Sequence, residues 1–447
     1  MTVPNFHDWL IAVTPRFPQF QELAAFVENA TEWPDGHDEA TLTTFLKRSG
    51  APHLVTSLSR ALNTFDLLCT PSAPIPDEMR IPWDWHDPSL VEQTHTSMKR
   101  HSRREDVSTS QYRWELGRRL AKQMSKKTRI LIDMCHWIKM RDSERGRVLD
   151  SEYPEILKNL RRLVASQRYI CPITPALFLE LQTQSDMSTR LHTARLMEEL
   201  SNNIVLPELA EMEKLELRRR AFELAFGTGG LNADWKVWTK PGFLLGELWP
   251  EPGEWMTDKD RWFVQKCCID DMWNTSFTRI VRILDETQST TELRTDFSRI
   301  MNADKAARPS MDFEYERTRA FAIVLREIIM PAVREIASEL QEVAKNRPGY
   351  RLPELQTPTE RDPWCFPSVQ IIAGIEALIR TTNRRFHGND MFDLFHCAAA
   401  LPYCQVFFSD GPFERIIKDP KLQYDREYGV EVLSDPRRML SYLEKLS

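Results

Sequence analysis

At 447 residues the chain is two to three times the length of a common domain, so two or three folding units are expected. Its 42% hydrophobic and 28% charged residues suit a globular protein and exclude a disordered or fibrous one. A net charge of -6 excludes a globally basic nucleic-acid binder, so any grip on a phosphate backbone must come from local basic clusters.

Residues 1–95 read as an all-α N-terminal module, with helical apolar periodicity in LTTFLKRSG and HLVTSLSRALNTFDLL and a proline-rich close from Pro71 to Pro88. The opening MTVPNFHDWLIAVTPRF has no basic stretch followed by a long apolar one, and no run of about 18 apolar residues follows anywhere. A cytoplasmic protein without membrane contact is therefore the expectation. Residues 96–127 form a basic linker or helix. Arg118, Arg119, Lys126 and Lys127 belong to this run, which suits either a solvated face or a phosphate-contacting surface.

At Thr128 the pattern changes to TRILIDM, a short β-branched run that predicts a strand buried on both faces of a parallel sheet. Asp133 then stands at its carboxyl end, where open α/β sheets hold their ligands. YPEILKNLRRLVASQ predicts an amphipathic helix. In RYICPITPALFLELQ an extended segment turns into a helix with Thr174 as N-cap and Pro175 as its first residue, which puts Glu180 inside that helix. From Met187 to Asn346 nearly all segments show helical periodicity, interrupted by an aromatic loop from Gly227 to Trp255; a second proline-rich segment runs from Arg347 to Pro367. The remainder alternates: helices at SVQIIAGIEALIRTTNRR, GNDMFDLFHCAAALPY, PFERIIKD and PRRMLSYLEKL, and strands at CQVFF and YGVEVL. That alternation predicts a parallel sheet, joined by the strand near Leu131.

The eight cysteines, at 69, 135, 171, 267, 268, 365, 397 and 404, have no CxxC spacing and no cluster with histidine. They suit buried thiols in a reducing compartment rather than structural zinc. GTGG at 227–230 follows a helix, which argues against a phosphate-cradling loop.

Four segments carry acids in a suggestive order: ILIDMCHW, PITPALFLELQ, NDMFDLFHCAAALPY and CQVFFSDGPF. Together they resemble the PIN-like nucleases, in which one acid ends the first strand, another lies in an early helix, a third begins a helix packed with small residues, and a fourth follows the next strand. The resemblance implies Asp133, Glu180, Asp393 and Asp410 as catalytic, metal-holding residues, with Ser409 just before the last. Asp390 competes with Asp393, one helical turn away. Asp393 stands 17 residues before Asp410 and just ahead of Ala398, Ala399 and Ala400, matching the family spacing, whereas Asp390 suits a helix N-cap after Gly388 and Asn389.

Hydrolysing a phosphodiester places negative charge on the attacking and leaving oxygens, and Mg²⁺ or Mn²⁺ neutralises it while acidifying water. Hard cations take carboxylate oxygen, and carboxylates crowded without a cation raise one another's pKa. Arg384, Arg385, Lys139, Ser409 and His396 are candidate substrate contacts around that centre, each weighed against a solvated charge or a satisfied structural group. His136 is weighed the same way.

The fold expectation is thus α/β: a parallel-sheet PIN-like domain in two parts, 128–205 and 365–447, interrupted by a helical insertion at 206–364. The resemblance implies an endoribonuclease, RNA being favoured over DNA by family analogy, with a role as a bacterial toxin or antiphage effector held in check by a regulatory protein partner or as a homo-oligomer. The rival is a non-catalytic PIN-like scaffold that binds nucleic acid or a protein partner.

Overall fold

The computed structural model describes residues 6–13, 20–30, 33–34, 38–59, 61–62, 88–147, 152–184, 186–226, 236–244, 246, 256–284, 291–326, 333 and 366–446. The prolines expected to close the first module at 71–87, the glycines at 227–230, most of the helix expected to run on to Asn346 and the proline-rich stretch to Cys365 lie outside these residues. The chain divides into two compact units, Met1–Val107 with Pro250–Cys267, and Ser108–Trp249 with Cys268–Ser447.

The first unit is helical where described: α1 (Phe6–Val13), α2 (Gln21–Asn29), α3 (Glu39–Arg48) and α4 (Pro88–His101). Asp38 caps α3 by accepting from the Thr41 amide at 2.8 Å. Phe6, Leu10, Phe20, Leu23, Val27, Leu42 and Leu46, spaced at helical intervals, close one small core.

The second unit is mostly helical around a four-stranded parallel sheet, an α/β arrangement. After α5 (Thr109–Met124) come β1 (Thr128–Ile132), α6 (Met134–Glu144), α7 (Glu152–Ala165), β2 (Tyr169–Ile170), α8 (Pro175–Gln182) and α9 (Met187–Ser201). A helical stretch follows: α10 (Leu209–Phe226), α11 (Asp258–Asn274), in which the division of the chain falls, α12 (Phe277–Ile283), α13 (Thr291–Ala307) and α14 (Phe313–Val324). The chain returns to the sheet through α15 (Pro367–Thr381), α16 (Asp390–Tyr403), β3 (Val406–Phe408), α17 (Gly411–Ile417), α18 (Tyr424–Glu427), β4 (Glu431–Leu433) and α19 (Pro436–Lys445).

The strand order is β2-β1-β3-β4. Leu131 pairs with Phe407, and Phe407 with Val432, so the strand expected near Leu131 does join the C-terminal ones across a gap of some 270 residues in sequence. Ile130, Leu131 and Ile132 are fully buried, as helices on both faces require. Each such side chain contributes about 1.5–3 kcal/mol by leaving water. From β1 the chain goes to β2 on one side and, after the helical stretch, to β3 on the other. The crevice between the carboxyl ends of β1 and β3 is therefore a topological switch point.

Candidate active site

Asp133 directly follows β1, and its amide continues the ladder by donating to the Phe408 carbonyl at 2.8 Å. Its carboxylate caps α6, accepting from the Cys135 amide at 2.8 Å. Asp410 does the same two residues past β3: it caps α17 by accepting from the Phe413 amide at 2.8 Å. Both acids thus occupy a strand-to-helix turn. His136 ties the two turns together, because its Nε2 donates to the Ser409 carbonyl at 2.9 Å while its Nδ1 accepts from the Tyr153 hydroxyl at 2.9 Å. Burial lowers its pKa, which suits this neutral form, so His136 is a satisfied structural histidine.

Thr174 and Pro175 begin α8 as their residue types dictate, with Thr174 Oγ1 accepting from the Leu177 amide at 3.1 Å. Glu180 follows on that helix, and its Oε2 accepts from His396 Nε2 at 2.8 Å. His396 Nδ1 lies 3.2 Å from Thr174 Oγ1. Burial alone would lower the pKa of His396, but the bond and charge of Glu180 raise it. With its Nε2 hydrogen donated to Glu180, His396 orients that carboxylate from behind and does not line the cleft itself.

Asp393 lies in the first turn of α16. Burial and the charges of Asp133, Asp410, Glu180 and Asp390 push its carboxyl up to about 10, so at neutral pH it holds a proton. Burial and Asp133 likewise raise Asp410 above its ordinary value, against the Phe413 amide. Asp390 is not the N-cap its position suggests. Asn389 holds that position without a side-chain capping bond, and Asp390 is the first helical residue. Its buried carboxylate instead takes a two-pronged bond from Arg384, Nη1 at 2.8 Å and Nη2 at 2.7 Å, and accepts from the His387 amide at 2.9 Å.

Asp133, Glu180, Asp390, Asp393 and Asp410 line one cleft of about 420 Å³, together with Cys135, Gln184, Arg294, Arg384, His387 and Asn389 among others. Glu180 Oε1, Asp410 Oδ2 and both oxygens of Asp393 take no protein hydrogen bond among the described residues. These are hard oxygen donors of the kind Mg²⁺ or Mn²⁺ takes, so the donor set fits such an ion in its chemistry. Among the described residues, however, no three Asp, Glu, His or Cys side chains stand close enough together to enclose one ion as arranged here. Asp133, Glu180 and Asp410 each turn toward a separate donor: the Cys135 amide, His396 and the Phe413 amide. Burial and Asp133 push the Cys135 thiol far up, which excludes it as a nucleophile near neutral pH.

The other candidates stand elsewhere. Arg384 lines the cleft, but both its terminal nitrogens are committed to Asp390. Arg385 and Lys139 are exposed outside it, Lys139 lying 5.3 Å from the Tyr153 ring centre. Ser409 is buried, its hydroxyl without a partner among the described residues and its carbonyl held by His136. Of the basic run, Arg119 faces Glu115 at 3.6 Å and Lys127 donates to the Gln167 carbonyl at 2.7 Å; neither reaches the cleft. Arg294, Thr183, Gln184, His387 and Asn389 line it without having been anticipated. Nothing local marks them. Arg294 comes from α13, almost a hundred residues before the loop it touches.

Compared with protein-family models, curated proteins and solved structures, the chain matches none. No helix of the described residues is long and apolar enough to cross a membrane.

Proposed function

We propose that the second unit is a PIN-like phosphodiesterase that hydrolyses nucleic acid, RNA by preference, with a divalent cation held by Asp133, Glu180, Asp393 and Asp410. One observation carries the reading: four acids from distant parts of the chain line a single cleft at the switch point of a parallel sheet. A bound Mg²⁺ or Mn²⁺ would neutralise charge on the phosphate and acidify water. The protein's own part is to hold the acids in place. The strand ends set Asp133 and Asp410, His396 turns Glu180, and Asp393 keeps a proton that a bound cation would displace.

A second reading, a PIN-like scaffold that binds nucleic acid or a partner without cutting, draws support from the absence of a ready three-acid ligand set among the described residues. Incubation of the purified protein with labelled tRNA, mRNA, single-stranded DNA and duplex DNA separates the two. With Mn²⁺ the wild type is expected to cleave, with EDTA it is not, and Asp133→Asn and Asp393→Asn should each lose on the order of a hundredfold or more. Full activity in both variants removes the site assignment, and no cleavage of any substrate leaves the scaffold.

A further inference from the structure

The C-terminal half of α13 is fixed against the end of α15 and the loop that leads into α16. Asn302 and Phe386 bond reciprocally, side-chain amide to carbonyl at 2.8 Å and backbone amide to side-chain oxygen at 3.0 Å. Lys305 Nζ donates to the carbonyls of Ile379, Thr382 and Arg384 at 2.7, 2.6 and 2.8 Å. Gly388 allows the approach, since a Cβ there would stand 2.8 Å from Arg294 Cβ and 3.0 Å from its carbonyl oxygen. These contacts dock α13 on that segment, and the Arg294 side chain at its other end lines the wall of the acidic cleft.

Arg294 differs from its neighbour Arg384. It has no ion pair among the described residues: Nη1 donates to Asn389 Oδ1 at 3.0 Å, the guanidinium lies 4.7 Å from the centre of the Phe392 ring, and Nε is buried without an acceptor. A guanidinium carries five N–H donors, so most of this one's are uncommitted. A buried donor without a protein partner needs an explanation, and a bound anion or an ordered water supplies one. The planar fork matches a phosphate better than any neutral group. Among the described residues no Phe, Tyr or Trp lines the cleft, so the phosphate rather than a large stacking ring is the feature of a strand that this wall addresses.

We infer that Arg294 is a ligand for a backbone phosphate of a single nucleic-acid strand entering the cleft, so that the helical segment between the two parts of the sheet completes the substrate site. The inference rests on the nuclease reading for its chemistry and names what Arg294 grips: the phosphate. Its test can nevertheless run without cleavage. Anisotropy of a labelled single-stranded oligonucleotide in EDTA, over a salt series, compares the wild type with Arg294→Gln, Arg294→Lys and, as a control, Arg299→Gln, an exposed arginine of α13 paired with Asp296 at 2.9 Å.

Arg294→Gln should weaken binding by about tenfold and flatten the slope of log affinity against log salt by about 0.7, the signature of one lost phosphate contact. With Mn²⁺ it should raise KM and leave kcat near wild type. Arg294→Lys should restore the slope but only part of the affinity, because a point charge replaces the fork. Arg299→Gln should change neither. Equal slope and KM in wild type and Arg294→Gln overturns the inference, as does faster cleavage by Arg294→Gln, which would make Arg294 a plug. If Arg294→Gln melts below the assay temperature, Arg294→Lys decides, and wild-type affinity in it counts against the fork. A wild type that binds through Arg294 yet cuts nothing overturns the nuclease reading and keeps this one. A wild type that neither binds nor cuts overturns both.

Discussion

Asp393 illustrates how one residue can be read through its protonation. Its ordinary value is 3.8 and its folded value about 10, so over that interval the folded protein keeps a proton that the unfolded chain has released. The folded state binds more protons, and stability therefore falls as pH rises through this window and is fully present only below it. Asp393→Asn keeps the shape and removes the titration. In EDTA its melting temperature should vary less than that of the wild type between about pH 5 and pH 9, and exceed it at the upper end. Parallel melting curves for the two proteins would contradict the burial and repulsion described for this carboxyl. Asp390 is a different case one turn away. Its charge is already matched by Arg384, which makes it a poor candidate for a metal and a good one for shaping the loop.

At the scale of elements, Asp133 and Asp410 each serve the start of a helix as well as the cleft, and the two duties separate by substitution. Asparagine caps a helix about as well as aspartate but brings no charge. Asp410→Asn should stay within about 0.5 kcal/mol of wild-type stability, whereas Asp410→Ala should lose about 1 kcal/mol with the Phe413 amide left unmet. Both should lose cleavage alike. Denaturant melts paired with Mn²⁺-dependent rates check this, and an active Asp410→Asn would show that the cap is all this carboxylate provides. Strand-to-helix turns are where such double use is natural, because the backbone amides that want a cap and the crevice that takes a ligand coincide.

Across the second unit a further pair of acids sets the response to pH. Glu216 on α10 accepts from the Ser368 hydroxyl at 2.7 Å and the Tyr403 hydroxyl at 3.1 Å, joining α10 to α15 and α16; burial still pushes it up to about 7. Glu213, one turn earlier, is fully buried with neither carboxylate oxygen hydrogen-bonded among the described residues, and burial with the charge of Glu216 pushes it up to about 8. Both folded values lie above the ordinary 4.5, so both groups cost stability as pH climbs from there to about 8. Glu213→Gln, which stays neutral, should melt higher than the wild type at about pH 8 and alike at about pH 5. A variant that melts lower at both pH values would mean that the glutamate charge is matched after all.

The sequence by itself determined what short-range chemistry controls. TRILI is strand because an apolar β-branched run of that length suits a sheet covered on both faces, and Thr174 with Pro175 starts α8 because a hydroxyl and a missing N–H suit those two places. Asp133 and Asp410 at strand ends were legible for the same reason. The tertiary structure alone decided the order β2-β1-β3-β4, the clamp of Arg384 on Asp390, the imidazole behind Glu180 and the arrival of Arg294 beside Asn389. Each of these joins groups that nearest-neighbour patterns do not connect, or, as with Asp390, turns on a choice between two local partners. Local patterning cannot rank such pairings. Burial of the whole core does, by bringing distant side chains close enough for charge and hydrogen bonding to select their partners.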